Sequence, residues 1–265
     1  MSHSLVQNDW KENHVYLVTY PRCGIVPNGS PWSLKLETWL RFAQIPYTGI
    51  SSQFKRFSQK GQVPFVELNG REIADSGLII EALKVEFNKS DLDSSDPEKI
   101  AMARAITALA EDSMVWRLFA FRSKDISWIT HDDGWGRYFG TGLMRWLGEY
   151  FVNWKIGGRW LHALMVQGTG RNSDAEIEDM ARKDFDALST LLGEKPFFFG
   201  DKPSTIDCTV FGHLAGFIYT HSSHPETRPN LMAFLERMKE RFWPDWEETC
   251  RTMDMNTHHK LRGAM

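Results

Sequence analysis

A chain of 265 residues, 42% hydrophobic and 25% charged, is long enough for one large domain or two ordinary ones with an ample core. Its 31 basic and 34 acidic side chains give a formal net charge of −3, which argues against nucleic acid or an anionic membrane as the partner. Three scattered cysteines, Cys23, Cys208 and Cys250, make neither a disulfide framework nor a CxxC pair, so a reducing, cytoplasmic setting is expected. The polar start MSHSLVQNDWKENH has no signal-peptide core, and no window approaches the ~20 apolar residues of a membrane span.

Val15 to Tyr20 (VYLVTY) reads as a first strand. The Pro/Gly-rich PRCGIVPNGSP follows, and Ser30 and Pro31 are a natural N-cap and first helical residue. Trp32, Leu36, Trp39 and Ala43 then make one helical face. Tyr47 to Ile50 is a second strand, and Lys55 to Gly61 a polar loop or single turn. Val63 to Leu68 and Arg71 to Ala74 flank Asn69-Gly70, the signal of a type I′ hairpin. Ser76 caps a helix whose apolar side is Leu78, Ile79, Ala82, Leu83 and Phe87.

Past Asp96-Pro97 no strand is expected. Glu98 to Phe121, Gly142 to Met165 and Asp174 to Leu192 read as helices, and Asp125 to Gly140 as loop. Ser204-Thr205-Ile206-Asp207 is a capping-box variant ahead of an apolar helix to Tyr219, and Asn230 caps a last helix, LMAFLERMKERF. The expected layout is a polar tail (1–13), an α/β domain (14–90), a linker (91–97), an all-α domain (98–250) and a C-terminal tail (251–265).

Pro64 sits inside an apolar strand run, where a proline cannot donate to the ladder. A cis bond there turns the backbone of Val63 outward, free to pair with an extended peptide. Close by in sequence, the helix opening at Ser76 offers N–H groups to a carboxylate and Asp75 suits an ammonium group. A small peptide with an α-amino acid end satisfies all three, and glutathione has that shape.

These residues carry a resemblance. Gln62-Val63-Pro64 followed by Ala74-Asp75-Ser76 resembles the glutathione site of the glutathione S-transferase N-terminal, thioredoxin-like domain. The second half resembles that family's all-α C-terminal domain. PNGSPWSLKLETWLR, KGQVPFVELNGREIADSGLIIEAL and KPFFFGDKPSTIDCTVFGHLA are similar to the failed-axon-connections branch, allied to cadmium-responsive proteins and metaxins. The resemblance implies that Val63 pairs with the cysteinyl backbone and that Asp75 and Ser76 hold the γ-glutamyl end. It also implies that Lys60 or Gln62 reaches the glycyl carboxylate. A transferase must stabilise the thiolate. Ser30, in a SPWS that resembles a CPxC box with serines, is the first choice, Tyr20 the second, and Cys23, through a mixed disulfide, the third. Trp116, Arg117 and Phe119 are the candidate pocket for a hydrophobic electrophile.

Other readings are weaker. His221-Ser-Ser-His224 and His258-His259 lack Cys or carboxylate companions at ligand spacing, so they read as solvated and no metal is expected. Gly157-Gly158 and Gly168-Thr-Gly170 follow no strand, and Phe197 to Phe199 are too few to anchor a membrane. Two functions remain. One is glutathione conjugation to, or reduction of, a hydrophobic electrophile. The other is a non-catalytic adaptor of the failed-axon-connections and metaxin kind. Homodimerisation is implied by the resemblance.

Overall fold

Five consecutive buried residues, Val15–Thr19 (β1), are the pattern of a strand covered on both faces. The computed structural model describes residues 5–152, 154, 157–220 and 225–258. In it β1 lies inside a four-stranded sheet of order β2-β1-β3-β4, with Tyr47–Ser51 (β2), Phe65–Leu68 (β3) and Arg71–Ala74 (β4). β2 runs parallel to β1, while β3 and β4 are antiparallel additions, with Val18 opposite Phe65 and Phe65 opposite Ala74. Asn69 and Gly70 have φ of 50° and 75°, as a type I′ turn needs.

Pro31–Phe42 (α1) starts where Ser30 and Pro31 predicted. Its burial goes beyond one face: Leu34, Leu36, Trp39 and Leu40 are buried, and so are Lys35 and Glu37. Those charges are paired, Lys35 with Glu111 at 2.6 Å and Glu37 with Arg22 at 2.6 Å. One side of α1 lies on Thr205–Thr220 (α9) at Gly212, where a Cβ would stand 2.6 Å from the Lys35 nitrogen. Only glycine permits that approach.

Ser76–Glu86 (α2) differs from its expectation in two ways. Asp75, not Ser76, is the N-cap, its side chain accepting from the Gly77 and Leu78 nitrogens. Ile79, Ile80 and Leu83 form the buried side, and Leu78 is exposed. The predicted strand from Val63 begins only at Phe65, because Pro64 has no N–H for the ladder.

The rest is helical: Pro97–Ala108 (α3), Val115–Lys124 (α4), Ser127–Thr130 (α5), Leu143–Val152 (α6), Gly158–Gln167 (α7), Asp174–Leu192 (α8), α9, Pro229–Phe242 (α10) and Trp246–Thr252 (α11). A π-helical turn, Leu109–Met114, joins α3 to α4 inside the predicted single helix. The expected Gly142–Met165 helix is α6 and α7, and the expected loop 125–140 holds α5 and a 3₁₀ turn at Gly136–Phe139. Asn230 lies inside α10, behind Pro229, and α10 is followed by α11. Asp207 accepts from the Ser204 nitrogen at 2.8 Å, which is one half of the predicted capping box; the Ser204 hydroxyl donates to Asp207 as well (2.8 Å) instead of accepting from its N–H, and Asp207 also accepts from the Phe198 nitrogen at 2.9 Å. This α/β sheet followed by an all-α half is the expected fold class, a thioredoxin-like domain with a helical domain. No described helix is long and apolar enough to cross a membrane.

The residues after α11 correct the expectation of a solvated tail. The Asn256 amide bonds both the Gly49 N–H (2.7 Å) and the Gly49 carbonyl (3.1 Å), covering the β2 edge. The His258 ring stacks on Tyr47 at 4.4 Å. His221, His224 and His259 lie outside the described residues.

Candidate functional site

The sheet register gathers the predicted binding residues. Val18 faces Phe65 and Phe65 faces Ala74. The end of β1, the residues just before β3 and those just after β4 therefore share one end of the sheet. The N-termini of α1 and α2 follow β1 and β4 at that end, the usual place for a ligand in an α/β sheet. The Val63–Pro64 bond is cis. Among the described residues neither the N–H nor the C=O of Val63 has a hydrogen-bond partner, although Val63 is 9% exposed. Buried backbone groups are nearly always paired, so an unpaired residue at this end of the sheet is unusual.

Beside it, Asp75 holds φ at +88° and spends Oδ1 on Gly77 N (3.0 Å) and Leu78 N (3.3 Å). A non-glycine residue there stores roughly 1–3 kcal/mol of strain, a cost that clusters at ligand clamps. The Ser76 N–H and hydroxyl have no partner among the described residues. Lys60 donates to the Ala74 carbonyl at 3.2 Å, and Gln62, exposed, donates its N–H to Ser58 Oγ at 3.3 Å. Lys60, Gln62, Val63, Asp75 and Ser76 thus lie at or beside one sheet end.

On the α1 side, Ser30 Oγ accepts from the Ser33 nitrogen at 3.4 Å. Its own proton is committed to no acceptor among the described residues. Asn28, unpredicted, fixes its position: Oδ1 accepts from Ser30 N at 3.0 Å while Nδ2 donates to the Tyr20 carbonyl at 3.2 Å. Tyr20 packs between Phe54 and Trp135, and burial raises its phenol pKa, with Arg159 opposing. A phenol so placed keeps its proton, and that hydroxyl can donate or accept a hydrogen bond. Cys23 is fully buried, and burial pushes its thiol up to about 12. A protonated thiol sealed from solvent does not exchange, which removes Cys23 from the candidates.

The long segment between Tyr20 and Ser30 is docked on the helical half. Gly24 and Ile25 donate to the Gly134 and Asp133 carbonyls (3.2 and 2.9 Å), and Trp135 Nε1 donates to the Pro21 carbonyl at 2.9 Å. Arg122, buried, bonds the Gly29 carbonyl (2.9 Å) and Gly216 carbonyl (3.2 Å). Arg22 binds Glu37 through both nitrogens (2.6 Å each) and the Met255 carbonyl at 2.7 Å. None of these partners is near in sequence, and no local pattern marks them.

The predicted pocket residues divide. Phe119 is 5.9 Å from Trp32, 5.8 Å from Trp116 and 5.5 Å from Trp160, ring to ring, so an aromatic cluster reaches the first turn of α1. Trp32 and Trp160 were not foreseen there. Arg117 is engaged elsewhere, with the Ser113 carbonyl at 2.9 Å and Asp184 at 3.7 Å. A separate cleft of about 390 Å³, lined by Lys84, Asp93, Lys99 and Arg104 among others, contains none of the predicted site residues.

Two family models match the chain: the glutathione S-transferase N-terminal domain over residues 31–127 and the C-terminal domain over 181–238. "Isoprene-epoxide--glutathione S-transferase" of Rhodococcus sp. (strain AD45) is 30% identical over 82% of this chain and 94% of the relative. Sheet, helical half and relatives define the class: the chain belongs to the glutathione S-transferase superfamily. Within it the chain sits in the branch of failed axon connections and the metaxins. "Failed axon connections" of Drosophila melanogaster is 34% identical over 95% of this chain, which spans 63% of that relative's length. "Metaxin-2" of Homo sapiens is 23% identical over 89% of this chain and 91% of the relative. Among solved structures, glutathione S-transferase 1-6 from Anopheles dirus superposes with a TM-score of 0.60 at 14% identity, covering 94% of this chain and 99% of that one. A Sulfitobacter glutathione transferase homolog with bound glutathione gives 0.58 at 14% identity over 96% and 100%.

Proposed function

We propose that the protein binds glutathione at the sheet end and conjugates it to a small hydrophobic electrophile of the epoxide type. The observation that carries this reading is the unpaired backbone of Val63 beside the strained Asp75 and the open N–H of Ser76. In it, Val63 pairs with the cysteinyl residue, Asp75 and Ser76 take the γ-glutamyl end, and Lys60 or Gln62 takes the glycyl carboxylate. The Ser30 hydroxyl donates to the sulfur, with Tyr20 a second donor. The thiolate attacks an epoxide carbon, the C–O bond breaks, and the alkoxide takes a proton to give a thioether alcohol. The cluster of Trp32, Trp116, Phe119 and Trp160 suits an apolar acceptor. The relative named for joining isoprene epoxide and glutathione supports that substrate class. Cytoplasmic placement is part of the same reading.

A non-catalytic adaptor is the second reading, favoured by the likeness to failed axon connections and metaxin-2. The test is calorimetric titration with reduced glutathione, on the natural chain and on Asp75→Ala, followed by an epoxide assay on Ser30→Ala. Binding lost in Asp75→Ala, and turnover lost in Ser30→Ala with binding kept, are the expected results. Binding without turnover on any electrophile moves the protein to the adaptor reading. No heat and no thermal stabilisation at ~10 mM glutathione rejects the site.

A further inference from the structure

The cleft of about 390 Å³ is enclosed by segments far apart in sequence: the later turns of α2, the linker after it, one face of α3 and the start of α9. Its volume falls in the ~300–1,000 Å³ range of small-molecule sites. Its α2 wall is remote from the sheet end. Lys84 stands about 12 Å along the helix axis from Ser76, at ~1.5 Å per residue.

The acids of the cleft are already engaged. Lys84 pairs with Glu81 (2.8 Å) and with Asp93 (2.7 Å). Asp93 also accepts from the Thr205 nitrogen (2.8 Å) and hydroxyl (2.7 Å), and the Thr205 oxygen accepts from Trp39 Nε1 at 3.0 Å. The α3 wall is different. Ile100, Ala103, Arg104 and Thr107 recur at helical spacing and so share one face, with Lys99 at its margin. Ile106 is the one buried residue of α3, so this face is not used for the core, and Ile100 is 55% exposed. Among the described residues neither Lys99 nor Arg104 has an ion-pair or hydrogen-bond partner. Phe199 and Ile206 add apolar lining, and α9 opens into the cleft at Thr205 and Ile206 with the positive end of its backbone dipole.

We propose that this cleft binds a small amphipathic carboxylate, its head on Lys99 and Arg104 and its hydrocarbon against Ile100, Ala103, Phe199 and Ile206. Charge selects the head. A cationic head would meet two unpaired cations and the helix dipole, while both acids already have partners. Lys99 and Arg104 are ~7.5 Å apart along the helix axis, and their long side chains can converge on one carboxylate. The apolar lining selects the body, since an inorganic anion would leave Ile100 in water. Volume selects a small molecule over a protein segment: one turn of α-helix, ~10 Å across and ~5.4 Å long, already occupies about 420 Å³. The proposal does not rest on glutathione binding.

Titration of the full chain with octanoate tests it, read by calorimetry and by isoleucine methyl resonances. Binding with a Kd of roughly 0.1–3 mM is expected for an anion of that size, with the Ile100 and Ile206 methyls shifting. Lys99→Gln/Arg104→Gln, at two exposed positions, should weaken binding about 10-fold, as expected for two exposed charge contacts. Octyltrimethylammonium, with the same chain length and the opposite charge, should bind more weakly than octanoate by at least that factor. Ala103→Trp fills the cleft and leaves both charges in place, and should remove binding. No heat and no methyl shift at ~10 mM octanoate overturns the proposal. So do equal affinities for the two amphiphiles, undiminished binding by the glutamine variant or by Ala103→Trp, or shifts that miss Ile100 and Ile206.

Discussion

Replacing Arg22 by methionine should be among the most damaging single changes in the α/β half. The guanidinium is fully buried and meets both Glu37 oxygens at 2.6 Å. It also donates to the Met255 carbonyl at 2.7 Å and more loosely to those of Pro27 and Asp254. Methionine fills most of the volume and supplies no donor. Glu37 then keeps the Tyr47 hydroxyl at 2.9 Å and Arg41 at 3.8 Å, but loses its close partner. Breaking one side of a buried pair costs roughly 3–5 kcal/mol. At about 2–4 °C per kcal/mol for a chain of this size, melting should fall by roughly 6–20 °C. Arg22→Met/Glu37→Leu removes both charges and should recover about 2 kcal/mol or more of that loss. The pH dependence has a definite sign. Burial pushes the Glu37 carboxyl up, but Arg22 and then Arg41 outweigh it and hold the carboxyl below its ordinary range. In the natural chain this contribution is present above the unfolded carboxylate pKa and is lost as pH falls through the lower folded value. In Arg22→Met, burial prevails and the folded pKa rises, so acidification from pH 8 to 5 should narrow the gap between the two proteins. Urea unfolding at several pH values measures all of this. A single-variant cost under about 1 kcal/mol, far below that of a broken buried pair, would refute the reasoning, as would strictly additive effects in the double variant.

Three further outcomes are expected. Asp75→Ala keeps the positive φ and loses the cap, costing roughly 0.5–2 kcal/mol, while Asp75→Gly adopts that φ freely and should cost less. Equal melting losses would show that the backbone at 75 is not strained. Asp207→Asn turns one of two fully used acceptor oxygens into a donor facing an N–H, so roughly 1–3 kcal/mol should be lost in urea titration. An unchanged midpoint would contradict the bonding described. Burial raises the Asp245 carboxyl, but hydrogen bonding and charge from Arg41 bring it down to about 2. Its stabilisation is present above the unfolded pKa near 4 and lost toward pH 2, so Asp245→Asn should flatten the acid limb over that interval.

Features set by neighbours along the chain were legible in the sequence. Ser30-Pro31 marks the start of α1, Asn69-Gly70 the hairpin and Ser204–Asp207 the start of α9, because each forms its bonds within a few residues. Pro64 pointed to a special turn for the same local reason. Asp75 as the cap was missed, since its φ of +88° is imposed by the junction of β4 and α2 and has no signature in residue type. Burial of Lys35 and Glu37 was invisible because Glu111 and Arg22 are the reason for it. Arg122 and Asn28, which position the loop before Ser30, act on carbonyls and N–H groups that every sequence possesses. The sequence placed a helix over Gly142 to Met165, but helical periodicity did not show where α6 ends and α7 begins.

The contacts of the last described residues have a consequence for synthesis on the ribosome. Arg22 waits for a carbonyl 233 positions later, and Gly49 for an amide 207 positions later. At about 5–20 residues per second, roughly 10–35 s separate the completion of the sheet at Ala74 from the arrival of Met255 and Asn256. During that interval β2 is an open strand edge, the kind of template that recruits other chains. Until Asn256 emerges, the backbone of Gly49 has no amide from the C-terminal segment to pair with, so the β2 edge is exposed longest of any part of the sheet.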